Sequence, residues 1–526
     1  MMKISEKMPK LNRKQGDGLF YLSLLMLSVF AFLFLGANGY VMFDDSGTYV
    51  NLTANMEGVM PIYPLFLHGN KLLFGEACYL YAVVIEQALL AAVCIILFVR
   101  MLRKHFVLKY WEAYVCFFLA LLPFTTDMPL AMTTQTILTE GIAYAVFYLF
   151  MAALLQAVWN KSWKWFGALC GITLILSLTR SQLQILFGVC GVICIYLVAT
   201  SGQNDGKKNK LFLRLCLGLA GCVVVGLVGI LLTSRISNGY QAIIREMREQ
   251  QEALQEVQEA ETIVEQSEEV VEEIAQKEVE ADSVDGRKKQ KLTTSQYVTL
   301  IFSRGMYEAD YGDYKLFEDE QMQELYLRLY KVANENQCNY TYATPGLWMW
   351  KDIVGGIGSV GKVCFYEQNN YYNEEPTGII YEKDYSAIRN QRQVEIGLTL
   401  LKEHFGRFLY HTLMLLPQAF ISTVFFQVEK IYLLCHLITL FLYLSAILLT
   451  IWAYKDKKVK NAYGETMCAV LGTNVVLVVV ISLIFFGQQR YLVYNFGIFY
   501  IAYFLLLRQL WEQRLKEKLK GRSHEK

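Results

Sequence analysis

Two adjacent carboxylates stand a few residues after the first apolar run of the chain. Asp44 and Asp45 are followed by Tyr49, Tyr63 and His68 in one polar loop. A carboxylate can take the proton of an attacking hydroxyl or hold a cation, and charges at the end of a membrane span are costly unless they are solvated or used. A plain solvated loop is the alternative. Two prolines that stiffen the loop favour a preorganised pocket.

Three further charged residues stand at the ends of apolar runs. Glu140 follows Thr139 at the start of one run, Arg180 lies in a polar break between two others, and Arg490 with Tyr491 opens the last run. An intramembrane acid is a functional candidate, although a carboxylate at a helix N-terminus is also favoured by the helix dipole. Arginine offers planar paired donors that suit phosphate, and snorkelling to the interface is the alternative.

The composition shows which elements must position these residues. Of 526 residues, 54% are apolar and 18% charged, which is too apolar for a soluble globular protein and indicates a lipid environment. The net charge of +1 gives no argument for a nucleic-acid partner. Runs long enough to span a bilayer occur at 18–38, 78–100, 108–124, 136–158, 163–179, 182–200 and 211–233, and again at 430–452, 465–487 and 490–508.

The distribution of Lys and Arg predicts the orientation, because cytoplasmic loops keep positive charge. The stretch 405–426 must then lie on the outer surface as an interfacial helix, since a full crossing there would put the last two basic segments outside. The sequence thus predicts an all-α polytopic membrane protein with about ten spans, both termini inside, and all four charged motifs on the outer face. The basic segments are 1–14, 100–109, 161–164, 207–210, 455–460 and 508–526.

The chain divides into three parts. Residues 1–235 form an N-terminal membrane core of seven spans, with the acidic pair in its first outer loop, 39–77. Residues 236–404 form an extracytoplasmic soluble segment, expected to be a small α/β or mixed unit, which includes an acidic helix at 241–282. Residues 405–526 hold the interfacial helix, three C-terminal spans and a basic cytoplasmic tail.

A glycine-rich run in the soluble segment superficially matches a nucleotide-binding loop. It extends from Gly356 to Lys362, but Val363 stands where a phosphate loop needs Ser or Thr, and the segment is placed outside. The six histidines show no HExxH spacing. Neither pattern therefore predicts a nucleotide site or a histidine-built metal site.

The order of the charged motifs resembles that of the GT-C superfamily of membrane glycosyltransferases. The nearest branch is the bacterial one similar to protein mannosyltransferases and lipid A aminoarabinose transferases. The resemblance covers about 18–235 well and 405–510 loosely, and 236–400 matches nothing; Asp45 also departs from the Glu of that branch. The matching motifs are Asp44-Asp45, Tyr49, Tyr63-Pro64, Thr139-Glu140, Leu178-Thr179-Arg180 and Arg490-Tyr491.

The resemblance implies transfer of a sugar from a polyprenyl-phosphate donor to a glycan, lipid or protein acceptor on the extracytoplasmic face of a bacterial plasma membrane, with inversion. It implies Asp44 or Asp45 as the base and Glu140 as a group that orients the acceptor or a cation. No cofactor is required, although some members use a divalent cation. A transporter or flippase of a lipid-linked glycan and a non-catalytic envelope assembly protein are the alternatives. Binding of donor phosphate or sugar falls to Arg180, Arg490, Tyr491, Tyr49, Tyr63 and His68.

Overall fold

The computed structural model describes residues 13–35, 39–43, 46–50, 60–125, 134–201, 296–346, 348–374, 385–425, 431–456, 461–485 and 491–524. Within these ranges all regular elements are helices, and the one β pairing is an isolated bridge between Val41 and Thr136. The chain is an all-α membrane protein. The seventh predicted span, 211–233, and the acidic helix, 241–282, lie outside the described residues.

The N-terminal membrane core surrounds one almost fully buried helix. Its elements are α1 (Arg13–Leu35), α2 (Ser46–Val50), α3 (Ile62–Phe106), α4 (Tyr110–Thr125), α5 (Glu140–Asn160), α6 (Trp163–Thr179), a 3-10 turn (Ser181–Ile185) and α7 (Leu186–Ser201). Helix α5 packs against α3 and α6 and carries fully buried aromatic side chains such as Phe147 and Phe150. Because α5 is apolar all round, it is stable as a helix only when other helices or lipid enclose it.

Helix α3 is folded back on itself at Gly75. This residue has φ +73°, a left-handed conformation that glycine adopts without steric cost. The Tyr63 hydroxyl donates to Gln87 Oε1 at 3.2 Å, although residues 24 apart in a straight helix would lie about 36 Å apart. Asn70 similarly donates to Glu86 at 2.9 Å. The first arm of α3, residues 62–74, therefore lies antiparallel to the second arm.

The described part of the soluble segment is a helical bundle, so the strands of the expected α/β or mixed unit are not found there. Its elements are α8 (Gln296–Tyr307), a 3-10 turn (Tyr311–Leu316), α9 (Glu320–Glu335), a 3-10 turn (Tyr340–Tyr342), α10 (Met349–Glu374) and α11 (Tyr385–Glu403). Apolar residues recur at helical spacing in α9, where Met322, Leu325, Tyr326 and Leu329 are buried. That period specifies amphipathic helices.

Glycines bring α8 into close contact with its neighbours. A Cβ on Gly397 of α11 would lie 2.7 Å from the Ile301 carbonyl oxygen, and one on Gly305 would lie 2.6 Å from the Gly397 carbonyl oxygen. The run from Gly356 to Lys362 lies inside α10, where Gly356 faces the Tyr307 ring. The glycine-rich run thus serves helix packing, consistent with the rejection of a phosphate loop.

The C-terminal part comprises α12 (Phe405–Val424), α13 (Tyr432–Lys455), α14 (Asn461–Phe485), a 3-10 turn (Val493–Asn495) and α15 (Phe496–His524). The N-terminal half of α12 packs on the bundle, where Arg304 donates to Thr412 at 2.5 Å. Its C-terminal end packs among the spans, with Thr423 bonded to Tyr443 at 2.6 Å and Tyr500 donating to the Val424 carbonyl. Helix α12 therefore joins the bundle to the membrane helices.

Seven described helices are long and apolar enough to cross a membrane. They correspond to predicted spans one, two, four, six, eight, nine and ten, while α4 and α6 are shorter apolar helices at the predicted third and fifth positions. Helix α12, predicted to lie at the interface, is not among the seven.

Candidate functional site

Glu140 and Arg180 form a buried ion pair. Glu140 begins α5, and Arg180 occupies the extended residue between α6 and the 3-10 turn that follows, with φ −153° and ψ 122°. Their side chains are 1% and 8% exposed, and Glu140 Oε1 meets Arg180 Nη1. Burying either charge alone would cost several kcal/mol, so each side chain requires the other. The structure therefore joins two predicted site residues.

Aromatic residues from the start of the last span cover the arginine. The Arg180 guanidinium lies 4.8 Å from the centre of the Tyr491 ring, and its Nε donates to Gln182 Oε1. Tyr494 interacts with both Arg180 and Glu140 and packs on Tyr144 at 4.5 Å between ring centres. The guanidinium thus meets a carboxylate, an amide oxygen and a ring face, and planar guanidinium donors are the type that phosphate recognition uses.

The backbone that leads to the acidic pair is hydrogen-bonded to the backbone that leads to Glu140. The Val41 amide donates to the Gln135 carbonyl at 2.9 Å, and the Ile137 amide donates to the Val41 carbonyl at 3.1 Å. Val41 is three residues before Asp44, and Ile137 is three residues before Glu140. Two predicted acidic motifs, far apart in sequence, are thus tethered to each other.

The acidic pair itself lies outside the described residues, as does Arg490. The residues on either side of the pair bond to each other: the Phe43 amide donates to Ser46 Oγ at 2.9 Å, and the Ser46 amide donates to the Phe43 carbonyl at 2.8 Å. Ser46 is fully buried. The ends of this short acidic segment are therefore fixed against the protein.

Of the three remaining predicted residues, Tyr63 and His68 lie on the first arm of α3, and Tyr49 lies on α2. Tyr63 is fully buried and close enough to Glu140 to interact with its charge. The Tyr49 ring packs edge-on against Tyr63 at 5.3 Å. His68 lies in a small crevice with Tyr49, Lys71 and other side chains, and the lining of that crevice includes neither Glu140 nor Arg180. Tyr63 thus borders the ion pair and Tyr49 packs behind it, whereas His68 lines a crevice that includes neither member of the pair.

The described residues give little support for a cation at this site. Glu140 Oε1 is paired with Arg180, and Oε2 accepts a hydrogen bond from Thr139 at 3.0 Å. A divalent ion here would have to be held by other carboxylates, and Asp44 and Asp45 are the sequence candidates. The observed geometry assigns Glu140 to the arginine.

A separate group of possible metal ligands occurs in the bundle, where oxygen and nitrogen atoms of Asp310, Asp313 and His404 lie within 4.8 Å of one another. Asp310 already accepts from Tyr340 at 2.6 Å and from Arg407 at 3.0 Å. Asp313 bonds His404 Nε2 at 2.7 Å. Because these partners supply both donors and positive charge, the group is balanced without an ion.

Three buried polar residues near the site were missed in the sequence. Gln87 bonds the first arm of α3, and Tyr494 contacts the ion pair. Asn495 follows Tyr494 and is fully buried, with neither amide atom hydrogen-bonded to another described residue. Each is a polar group inside an apolar run. A polar residue within an apolar run was the sequence signal that could have marked them, since polar groups within membrane spans are costly.

Comparison of the chain with family models, with curated proteins and with solved structures finds no match.

Proposed function

We propose that this protein is a membrane glycosyltransferase that moves a sugar from a polyprenyl-phosphate donor to an acceptor on the extracytoplasmic face. The observation that carries the proposal is the buried Glu140–Arg180 pair against Tyr491, with the segment before Glu140 tethered to the loop that carries Asp44 and Asp45. This arrangement combines a preorganised phosphate-type donor group with a nearby source of a general base.

The proposed reaction is a single displacement at the anomeric carbon. An acceptor hydroxyl attacks that carbon and forms the new glycosidic bond while Asp44, with Asp45 as the alternative, takes the hydroxyl proton. The bond from the anomeric carbon to the phosphate oxygen breaks, and its electron pair leaves with the polyprenyl phosphate. Attack opposite the leaving group inverts the anomeric centre.

Arg180 and Arg490 are the proposed partners of the leaving phosphate. Fixed cations stabilise developing negative charge most strongly where water is excluded, and Arg180 is 8% exposed. Both oxygens of Glu140 are engaged, so its proposed role becomes orientation of Arg180. The ring faces of Tyr63 and Tyr491 are proposed to border the sugar or the phosphate.

The proposed setting follows from the Lys and Arg distribution. The basic segments face the cytoplasm, both termini lie inside, and the helical bundle lies outside a bacterial plasma membrane. Donor and acceptor then meet at the outer ends of the spans, where a lipid-linked sugar is able to enter from the bilayer.

The test is transfer of a labelled sugar from polyprenyl phosphate in membranes that contain the full-length protein. Asp44→Ala or Asp45→Ala should lower the rate at least 100-fold, because the base is lost. Glu76→Ala is the matched control: this acid of the same outer loop is 72% exposed and pairs with Lys71, and its loss should leave transfer unchanged. Wild-type rates in both aspartate variants would overturn the proposal. Movement of donor across vesicles without product would indicate a flippase instead.

A further inference from the structure

Gln87 is a fully buried amide whose hydrogen bonds all leave the second arm of α3. Its Nε2 donates to the Thr134 carbonyl at 2.8 Å and to the Thr136 carbonyl at 3.1 Å. Its Oε1 accepts from the Tyr63 hydroxyl at 3.2 Å. Both donor hydrogens and the acceptor of one side chain are therefore used, and none of the three partners lies on the arm that carries Gln87.

These partners belong to the segments that carry the proposed site. The 134–137 segment precedes Glu140 and is bridged to Val41, while Tyr63 belongs to the outer loop that begins with the acidic pair. In this segment the Thr134 and Thr136 carbonyls are taken by Gln87 and the intervening Gln135 carbonyl by Val41. The segment is thus held on two sides.

Space around the amide is also limited. A Cβ on Gly141, the residue after Glu140, would lie 2.5 Å from the Gln87 amide carbon. The first turn of α5 therefore rests directly on this side chain, and only glycine permits that approach. A displacement of the Gln87 amide would move both the carbonyl segment and the start of α5.

We infer that Gln87 is a positioning residue that fixes Glu140, and through it Arg180, relative to the loop of Asp44. The inference rests on the proposed function. Gln87 itself touches neither reacting group. Glutamine fits this position because it combines two amide donors with one acceptor, whereas glutamate lacks the donors and methionine lacks all three groups. Without them, the buried Thr134 and Thr136 carbonyls lose the hydrogen bonds from Gln87.

The kinetic test compares Gln87→Met with Asn474→Leu in the full-length protein. Asn474 is equally buried and donates to Tyr443 at 2.9 Å among the C-terminal spans, so its loss controls for removal of a buried amide. A misplacement of about 1 Å is able to cost about 100-fold in rate. We expect kcat to fall at least tenfold in Gln87→Met with the donor KM within twofold, and neither parameter to change in Asn474→Leu. Equal effects of the two variants on kcat would overturn the inference.

A cross-link reports the geometry without any activity. Val41→Cys and Thr136→Cys, introduced together, place two thiols across the bridge, and peptide mapping after mild oxidation gives the disulfide yield. We expect this yield to fall at least threefold when Gln87→Met or Gln87→Glu is added, and to stay constant with Asn474→Leu. Gln87→Glu keeps the side-chain shape and serves if the Met variant does not fold.

The two tests separate failure of the inference from failure of the proposed function. If the wild type transfers sugar and Gln87→Met keeps both its kcat and its cross-link yield, the positioning role is wrong and the glycosyltransferase proposal stands. If the wild type transfers no sugar, the glycosyltransferase proposal falls, and the catalytic positioning role falls with it. The cross-link then still decides whether Gln87 holds the bridge.

Discussion

The membrane core and the helical bundle bury charge in different ways. Within the described part of the core, Glu140 meets one cation, Arg180, and aromatic rings pack against the pair. In the bundle, fully buried Glu308 accepts from His411 Nδ1 at 2.9 Å and lies 3.6 Å from Arg407 Nε. Arg407 in turn reaches Asp310, and neighbouring Asp313 binds His404, so the charges form a connected network.

This difference distinguishes a charge pair that is able to bind a ligand from a charge network that holds helices together. A buried pair with a single counter-ion is able to exchange part of its interaction for an incoming anion, because no second charged side chain in the described part of the chain is bonded to either partner. In a network several groups have more than one charged partner, so one contact is able to break while others remain. The core pair is therefore suited to bind phosphate, and the bundle network is suited to hold helices α8 and α12 together.

The largest expected effect is the loss of the single partner in the core. Arg180→Gln leaves the Glu140 carboxylate buried without a cation, which should destabilise the protein by about 3–5 kcal/mol. Adding Glu140→Gln removes the uncompensated charge and should restore most of that stability without restoring transfer. Unfolding in detergent and transfer rates measure the two effects. Equal stability of the single and double variants would contradict an isolated pair.

The matching change in the bundle is Glu308→Gln. It removes the carboxylate that His411 and Arg407 share. We expect the free energy of unfolding to fall by about 3 kcal/mol, the low end for a broken buried pair, because Arg407 keeps its ion pair with Asp310. Burial lowers the pKa of Arg304 to about 10 against the opposing charge of Glu308, so the variant should lower that pKa further. Transfer per folded molecule should stay within twofold. The control is Glu324→Gln, which breaks the exposed pair of Glu324 with Arg328. A loss of sugar transfer in Glu308→Gln would show that the bundle takes part in the chemistry.

A smaller effect is expected where backbones meet in the bundle. Gly397→Ala would press a methyl group against the Ile301 carbonyl at 2.7 Å, and such overpacking costs about 1–3 kcal/mol. Gly358→Ala on α10 meets open space and should change stability by no more than about 1 kcal/mol, toward greater stability. Thermal unfolding of the two variants measures the difference. Equal melting temperatures would show that the α8 contacts are looser than described.

The smallest effect concerns pH. Partial burial raises the pKa of Asp310, but hydrogen bonds from Tyr340 and Arg407 and the charge of Arg407 outweigh it and hold that pKa below its usual value. The ionised Asp310 carboxylate therefore stabilises the fold fully above its unfolded-state pKa of about 4. This stabilisation is lost as pH falls through the lower folded-state pKa. The wild type should exceed Asp310→Asn in stability at pH 7, and the gap should close in acid. A gap that is constant with pH would exclude this linkage.

The sequence predicted the helical membrane fold, because the apolar runs are long enough to span a bilayer. It placed Glu140 and Arg180 on the same face of the membrane but gave no sign that they form an ion pair. It did not predict the fold-back of α3. The sequence predicted a polar outer loop up to residue 77, whereas the structure places a helical arm at 62–74, and the sign of φ at Gly75 is not written in the residue type. The expected α/β or mixed unit is not confirmed in the described part of the soluble segment, since the tyrosine, asparagine and glycine content does not distinguish strands from helices joined by close glycine contacts.

The candidate site also contains residues that the sequence marked and one that it did not. Charged residues at the ends of runs marked Glu140 and Arg180, whereas Gln87 looked like one polar exception within a span. Its importance depends on three tertiary partners that lie 24, 47 and 49 positions away along the chain. Such partners follow from the packed structure and not from any local pattern.

The central claim is that the isolated core pair, and not the bundle network, binds the lipid-linked donor. Its most direct test is equilibrium binding of a radiolabelled polyprenyl-phosphate sugar to the purified full-length protein. The charge-neutral double variant Arg180→Gln with Glu140→Gln is compared with Arg304→Gln, which removes a 3% exposed arginine of the bundle. We expect Kd to rise at least tenfold in the first and to stay within twofold in the second. Unchanged donor affinity in the double variant, or a larger loss in Arg304→Gln, would contradict the claim.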